Sequence, residues 1–429
     1  MELTGTTLAS GPAGAGAAAG PAPAGGTATL AGRALTLIHT GRAPTRSALT
    51  SQLGVTRGTT GAIAGELRDL GLIVVEAGPG PDHEAGQGRP SHRLLPGPLG
   101  PVALAAHVHP DGFEVALVGL GGIVAARVAR DGPTPTVPEQ ALAPVAAAAA
   151  ALLRESGRPC VGAALAVPTA VSRPAGAAVR ALYVGWPTGT PVRDIFAAQL
   201  AGHSVAGPDG APAGCTAVND VNAIALAEHR HGAGRGASHL LVVAAEHRGV
   251  GGALVLDGAL YTGSTGLAME AGHVSVAGDG RPCVCGNRGC LNVETDTERF
   301  MELAGRVPVP GAPVLPQAVA LLEGGYRADE RVRAAADAIA ARLGLGLAGL
   351  INVINPDRVL LGGLHGRLLA AAPARLRGAV AAGSPWRSGA ATPIESCALE
   401  HAGLIGAAEV AWQPVLDDPA LVRRLVSQF

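Results

Sequence analysis

Apolar residues recur at helical spacing in three short segments near the start of the chain, and two extended runs follow them. The spacing predicts helices over residues 29–37, 45–53 and 56–70. Two short strands around a loop rich in glycine, proline and aspartate are predicted within residues 74–95. This succession is typical of a winged helix-turn-helix, a DNA-binding domain that we place at residues 28–97.

The second and third predicted helices have the features that reading a DNA groove requires. Gly54 supplies the tight turn between them, and Thr56 can cap the third helix. The residues predicted to share the buried face of the third helix are Thr60, Ile63, Leu67 and Leu70. The candidate DNA contacts are Arg46, Thr56, Arg57, Thr59 and, in the loop between the two strands, Arg89. The alternatives are a plain helical pair in a linker and arginines that are merely solvated.

After residue 97 the pattern changes to strand-like apolar runs that alternate with helical segments. Examples of the runs are "VALAAHV", "FEVALVGL", "VGAALAV" and "HLLVVAA". A long apolar-striped helix is predicted over residues 332–354, and "DRVLLGG" follows it as a buried strand that ends in a glycine turn. Strands that alternate with helices predict an α/β domain, here over residues 98–429.

Composition narrows the class of protein without naming a partner. The 429 residues are 48% hydrophobic and 15% charged, which is typical of a globular chain with a sizeable core. The formal net charge of −1 gives no sign of nucleic-acid binding, so that hypothesis rests on the local motif. Residues 1–27 are rich in alanine, glycine and proline and are predicted to be a disordered tail rather than a secretory signal. No apolar run is long enough to span a membrane, so we expect a cytoplasmic protein without a membrane partner.

A cysteine cluster carries the strongest metal-binding pattern in the chain. Cys283, Cys285 and Cys290 lie within eight residues of each other, and His273 stands shortly before them. Three thiolates and one imidazole complete a tetrahedral zinc site with no open position, so we predict structural zinc. A reduced, metal-free thiol cluster is the alternative.

The full string "GLAMEAGHVSV…CVCGNRGC" closely resembles the signature of the ROK family of sugar kinases and repressors, and the winged amino terminus is the arrangement of its repressor branch. The resemblance implies a two-lobed fold like that of actin and hexokinase (ribonuclease H-like), with sugar bound in the cleft beside a catalytic carboxylate. Asn219 and Asp220 match the family's sugar-binding element, and Asp220 occupies the position of the catalytic base. Glu270 and His273 match further sugar contacts, with His273 shared between zinc and ligand. From the residues alone, a helix cap formed by Asn219 and Asp220 is the alternative.

The chain also departs from the kinase pattern that the resemblance implies. His107 stands where the first phosphate turn has an aspartate, and Pro110 removes a backbone donor from that turn. His247 and Arg248 alter the second phosphate loop, and the sugar loop has lost its glycine and its acid. Tyr183 stands where the family has an asparagine ahead of its Gly-Trp pair, and Asn292 stands where it has a sugar-binding glutamate. We therefore do not expect ATP and magnesium to bind productively, and Asp220 becomes a vestigial base.

These observations predict a sequence-specific transcriptional regulator, specifically a repressor, that binds operator DNA as a homodimer or homotetramer and responds to a sugar or a related effector. Two alternatives remain open. One is an ATP-dependent sugar kinase of the ROK family, which Asp220 and the zinc motif favour. The other is a constitutive regulator in which the cleft serves only as scaffold.

Overall fold

The computed structural model describes residues 28–78, 91–203, 214–385 and 392–426, in which helices and strands alternate. The helices are α1 (Leu30–His39), α2 (Arg46–Leu53), α3 (Arg57–Asp69), α4 (Pro138–Ser156), α5 (Val192–Gly202), α6 (Asp220–His231), α7 (Leu291–Glu294), α8 (Thr297–Leu303), α9 (Val314–Gly325), α10 (Glu330–Ile354), α11 (Gly363–Ala371), α12 (Pro373–Gly383), α13 (Ala402–Asp417) and α14 (Leu421–Val426). The strands are β1 (Ile73–Glu76), β2 (Arg93–Pro96), β3 (Val102–His109), β4 (Gly112–Val118), β5 (Val124–Asp131), β6 (Cys160–Val167), β7 (Val171–Ser172), β8 (Ala177–Ala178), β9 (Cys215–Asn219), β10 (His239–Ala245), β11 (Gly251–Leu256), β12 (Ala259–Leu260), β13 (Arg358–Gly362) and β14 (Ile394–Ser396). The predicted tail at residues 1–27 and the candidate DNA contact Arg89 lie outside the described residues.

The amino-terminal unit contains the three helices and two strands that the sequence predicts. Thr45 caps α2 by accepting a hydrogen bond from the Ala48 N–H at 3.2 Å, and Gly54 ends that helix with a φ of 66°. Thr56 caps α3 by accepting from the Thr59 N–H at 3.1 Å. The face of α3 that was predicted to be buried is buried, and β1 pairs antiparallel with β2.

One continuous hydrophobic core joins this amino-terminal unit to the larger α/β domain. Leu35 of α1 and Leu49 of α2 belong to the same buried cluster as Trp412 and Leu416 of α13. The indole Nε1 of Trp412 in turn donates to the Val118 carbonyl of β4 at 3.0 Å. α13 therefore anchors the amino-terminal helices directly on the first sheet of the larger domain.

The larger domain is built on two five-stranded sheets with the same topology. The first has the strand order β5-β4-β3-β6-β9 and the second the order β12-β11-β10-β13-β14. In each sheet the first three strands pair antiparallel and the remaining pairings are parallel. Helices cover the sheets and form two α/β lobes, so the prediction of an α/β fold is confirmed.

Two helices, α6 and α13, lie between the lobes. Trp412 and Leu404 of α13 pack in the cluster of the first sheet, and Ile405 of α13 packs in a cluster with α6, β10 and β11. The backbones of the two helices approach so closely that a Cβ on Gly406 would lie 1.7 Å from the Ala223 carbonyl oxygen. Glycine is therefore required at this crossing because no larger residue fits between the helices.

Among the described residues, α10 is the helix whose length and composition would suffice to cross a membrane, with a mean hydropathy of 1.5 over an 18-residue window. Its Leu343 and Leu347 are fully buried in the core of the second lobe, and 56% of that window is buried inside the protein. The apolar stripe predicted over residues 332–354 is therefore explained by packing.

We predict that Gly406→Ala destabilises the protein by about 3 kcal/mol or more, because the added methyl group would collide with the backbone of α6. Gly378→Ala is the matched control in the exposed part of α12, where a Cβ would meet nothing within 4 Å. That control should be stabilising by about 0.5–1 kcal/mol, because alanine favours the helix. Thermal unfolding of the two variants measures both effects, and equal melting temperatures would contradict the close crossing.

Candidate functional site

Asn219 and Asp220 stand where β9 meets the amino terminus of α6, at the boundary between the lobes. The Asn219 Oδ1 accepts a hydrogen bond from the Asn222 N–H at 3.0 Å and so caps α6. Its Nδ2 donates to the Thr169 carbonyl at 3.2 Å and to the Asp220 carboxylate at 3.0 Å. The helix-cap interpretation is therefore correct for Asn219, and the same bonds hold its amide beside the cleft.

The Asp220 carboxylate lines the cleft at the first residue of α6. Its Oδ1 accepts from the Val221 N–H at 2.8 Å, and its side chain is almost completely buried. Burial raises the pKa of Asp220 from 3.8 to about 7, although the hydrogen bond from Val221 opposes the rise and the nearby Glu270 carboxylate adds to it. A carboxylate with a pKa near neutrality can exchange a proton with a ligand hydroxyl.

The four residues predicted to bind a ligand come together in one cleft of about 260 Å³, lined by Asn219, Asp220, Glu270 and His273 among others. Clefts that bind drug-sized molecules usually measure roughly 300–1,000 Å³. This cleft lies just below that range.

Glu246 is a cleft residue that sequence reasoning missed. It follows the last residue of β10 and lines the same cavity as Asp220. Desolvation raises the pKa of Glu246 to about 7, and the Asp220 carboxylate adds to the rise. The one available sequence signal was an acid placed directly after a buried apolar strand.

Two departures from the kinase pattern, Tyr183 and Asn292, form one hydrogen-bonded unit. The Asn292 Nδ2 donates to the Tyr183 hydroxyl oxygen, and the Asn292 Oδ1 accepts from the Val250 N–H at 2.8 Å. A Cβ on Gly249 would lie 2.5 Å from both side chains. These substitutions therefore fix the loop that corresponds to the second phosphate loop.

The structure gathers His273, Cys283, Cys285 and Cys290 into a group whose potential ligand atoms all lie within 4.8 Å of one another. The Cys285 and Cys290 Sγ atoms are 3.7 Å apart, and the Cys283 Sγ lies 3.7 Å from His273 Nδ1. Four ligands at about 2.1–2.3 Å around a tetrahedral ion would stand roughly 3.5–3.8 Å apart, so these separations fit a metal. His273 Nε2 points the other way, 3.9 Å from a Glu270 carboxylate oxygen. The geometry thus accommodates both roles predicted for His273.

Three imidazole rings occupy the region of the two altered phosphate loops. His109 stacks on His247 with ring centroids 3.7 Å apart, and His107 lies 5.5 Å from each of them. Burial lowers the pKa of His107 to about 3 and that of His109 to about 4, so both rings are neutral at pH 7. Arg248 lies 3.8 Å from the Asp111 carboxylate. The region is filled by packed neutral rings and a weakly paired arginine.

The candidate DNA contacts that the structure describes lie on α2 and around the start of α3. Arg57 is exposed on the first turn of α3, and Thr59 is partly exposed. Thr56 accepts the cap bond of α3 through its hydroxyl oxygen, which leaves its O–H free to donate, either to Thr59 Oγ1 at 2.9 Å or to a phosphate. The Arg46 guanidinium lies over α3 at Gly61, where a Cβ would approach its Nη2 to 2.3 Å.

The model of the ROK family matches residues 110–413, which is most of the chain. The match includes the cleft, the Cys/His cluster and most of both lobes, and β3 lies before it. The chain belongs to the ROK family. Its ROK domain therefore includes the matched region, whereas α1–α3 precede the match.

Relatives of this ROK protein include both kinases and regulators. The glucokinase of Thermotoga maritima is 32% identical over 45% of the chain, and the DNA-binding transcriptional repressor Mlc of Escherichia coli is 32% identical over 34% of it. These matches span 64% and 36% of the two relatives, respectively, so neither covers two thirds of the related protein.

Two solved structures share the fold of the ROK chain. A ROK family transcriptional regulator described as a homolog of E. coli MLC covers 92% of this chain and is itself covered to 98%, with 21% identity and a TM-score of 0.68. A ROK family glucokinase from Streptomyces griseus, in complex with glucose and AMPPNP, covers 73% of this chain and is covered to 99%, with 22% identity and a TM-score of 0.61. At these identities the likeness is one of fold.

We predict that Asp220→Asn removes a pH-dependent loss of stability. The folded wild type retains the Asp220 proton up to about pH 7, whereas the unfolded chain releases it near pH 3.8, so wild-type stability falls as pH rises between these values. The stability advantage of Asp220→Asn should therefore grow from pH 4 to pH 7, by about 2–4 kcal/mol, and then stay constant. Denaturant unfolding across this range measures it.

Asp279→Asn makes the same chemical change at an exposed position and is the matched control. The comparison of the two variants isolates the effect of burying the carboxyl group. Parallel pH profiles for wild type and Asp220→Asn would contradict the buried, protonated state of Asp220.

Proposed function

We propose that this ROK protein is a sequence-specific DNA-binding transcriptional regulator, acting as a repressor, whose ROK domain binds a sugar or a related small molecule and has lost kinase activity. The observation that carries the proposal is the α2–Gly54–α3 pair, which leaves Arg57 exposed on the first turn of α3. A helix-turn-helix reads DNA with this end of its second helix. We assign residues 28–97 to the winged helix-turn-helix and residues 98–429 to the ROK domain.

The structural neighbours support the regulatory interpretation over the kinase one. The solved regulator covers 92% of this chain and the solved glucokinase 73%. The regulator thus matches more of this chain than the glucokinase does, and α1–α3 precede the kinase-like fold that the two share. We infer from this that the shared architecture is that of a regulator.

The histidine stack supports the loss of kinase activity. Kinases bind the phosphates of a nucleoside triphosphate with backbone amides and cations. Phosphoryl transfer depends on the electrostatic stabilisation that these groups provide. Here His107, His109 and His247 fill the corresponding region as neutral rings. Asp220 would then bind a sugar hydroxyl without transferring a phosphate, as a vestigial base.

The cleft supplies the effector site of the proposed regulator. Asn219, Asp220, Glu270 and His273 present amide, carboxylate and imidazole groups to one small cavity, and such groups hydrogen-bond sugar hydroxyls. A ligand that binds one lobe arrangement more tightly than another shifts the population of DNA-binding states. A cytoplasmic homodimer or homotetramer would place two winged units on half-sites about 34 Å apart.

The Cys/His cluster is proposed to hold a structural zinc ion. Three thiolates and one imidazole fill a tetrahedral shell and leave no position for substrate, so the ion would contribute to folding rather than to chemistry. Its place next to Glu270 means that the ion would also hold one wall of the cleft in position.

We predict that Gly61→Ala weakens operator binding by about tenfold, because its methyl group would move the Arg46 guanidinium off α3. Gly65→Ala adds the same methyl group to the same helix, where it meets nothing within 4 Å, and should leave DNA affinity unchanged. Band shifts on the protein's own promoter region, with nonspecific competitor at moderate salt, compare the two variants with wild type. Both variants are expected to fold, because alanine favours a helix.

Absence of any sequence preference in the wild-type band shift would contradict the proposed function. The kinase alternative is tested separately by coupled ADP release with common hexoses and N-acetyl amino sugars. Turnover that disappears in Asp220→Asn would establish the kinase in place of the vestigial base.

For the metal, we predict about one zinc per chain in purified protein and its loss in Cys290→Ser, together with a lower melting temperature. Cys215→Ser changes a free cysteine outside the cluster and is the matched control, with zinc retained. Metal analysis and thermal unfolding measure the two effects. Equal zinc content in Cys290→Ser and Cys215→Ser would rule out the proposed site.

A further inference from the structure

A buried charged cluster lies where the amino-terminal unit meets the ROK domain, away from the cleft. Both carboxylate oxygens of Glu409, on α13, lie 2.9 Å from the Nε2 of His39, the last residue of α1. His231, the last residue of α6, approaches Glu409 Oε1 to 2.8 Å with its own Nε2. Arg230 Nη1 donates to Glu409 Oε2 at 2.5 Å. Glu409 thus connects one helix of the amino-terminal unit to one helix of the ROK domain. We call His39, Arg230, His231 and Glu409 the junction cluster.

The ligand atoms of His39, His231 and Glu409 are close enough to consider a metal ion, since they lie within 4.8 Å of one another. The hydrogen bonds favour a different state. The Gly121 N–H donates to His39 Nδ1 at 2.9 Å, so the ring proton of neutral His39 is on Nε2 and points at Glu409. A metal at Nε2 would have to displace that proton and stand beside the Arg230 guanidinium. The junction cluster is therefore a proton-donor network around one carboxylate.

Glu409 is held as an anion by these donors. Burial alone would raise its pKa, but His39, Arg230 and His231 together lower the pKa of Glu409 well below 4.5. The Glu409 side chain has no exposed area, and neither has that of His39. A buried carboxylate that loses a donor is left uncompensated, so the network resists separation of α1 from α6 and α13.

Helix α6 links the junction cluster to the cleft. Asp220 is its first residue and His231 its last, so its twelve residues span about 18 Å. Along that length α6 packs against α13, with the close backbone contact at Gly406. At this crossing the two backbones are in direct contact, with no side chain between them that could change its conformation. A displacement at the start of α6 therefore moves the last turn of α6 unless the helix breaks.

We propose that Glu409 is a positioning residue through which the cleft end of α6 controls the mobility of α1, the helix on which the winged unit rests. The regulatory role of this coupling rests on the proposed function, in which α1 carries the DNA-reading helices. His39 is the residue of the amino-terminal unit that contacts Glu409, so a displacement of α6 reaches α1 through His39.

The test perturbs one end of α6 in the full-length chain and measures amide hydrogen exchange of residues 30–39. Asn219→Ala removes the cap of α6 and should speed exchange in α1 by about threefold to fivefold, the size of a lost cap. Asp296→Ala removes the cap of α8 in the same way and is the matched control, because α8 does not reach the junction cluster. It should leave exchange in α1 unchanged.

The role of Glu409 is tested by repeating Asn219→Ala in two His39 backgrounds. His39→Asn can still accept from the Gly121 N–H but is too short to reach Glu409, so exchange in α1 should become insensitive to Asn219→Ala. His39→Gln places a donor near the Nε2 position and should restore the sensitivity. If His39→Asn fails to fold, Glu409→Ala, which removes the acceptor of the His39 Nε2–H, takes its place and should also lose the sensitivity.

An effect of Asn219→Ala on α1 that survives in His39→Asn, or in Glu409→Ala where that variant replaces it, overturns the proposal. The absence of any effect in the wild-type background overturns it as well. The experiment uses neither DNA nor effector. Failure of the protein to bind DNA would therefore contradict the proposed function, whereas hydrogen exchange alone decides whether this coupling exists.

Discussion

The structure depends on the crossing of α6 and α13, where a glycine allows two backbones to touch. Because Gly406 has no side chain, α13 can lie against α6 on one side and against the first sheet on the other, through Trp412. Both lobes thereby share a single pair of helices. The cleft opens at one end of this pair, and the amino-terminal unit rests on the other, so the packing of the two helices relates the cleft and the amino-terminal unit to each other.

Much of the fold could be predicted because its signals are local. The three amino-terminal helices begin at threonine caps and repeat apolar residues every three or four positions, and each was found within one or two residues of its predicted bounds. The same holds for α10 and the strand after it. The shared core of α1 and α13 could not be predicted, because no local pattern states which apolar faces meet across the length of the chain.

The candidate site divides in the same way. Cys283, Cys285 and Cys290 are close in sequence, so their meeting was predictable from spacing. Tyr183 and Asn292 were recognised one by one as departures, but their hydrogen bond joins positions 109 residues apart. The contact between His39 and Glu409 spans 370 residues and had no sequence signal. Glu246 was missed because burial, which raises its pKa, is a property of the folded chain.

The shared hydrophobic core has a consequence for how such proteins can be recombined. A DNA-reading unit joined to its neighbour by a flexible tether can be exchanged like a cassette, since both parts keep their own interiors. Here Leu35 and Leu49 complete an interior to which Trp412 and Leu416 also contribute. A chimaera that takes the amino-terminal unit from one relative and the ROK domain from another must therefore transplant the matching face of α13 as well, although that helix is far from the amino-terminal unit in sequence.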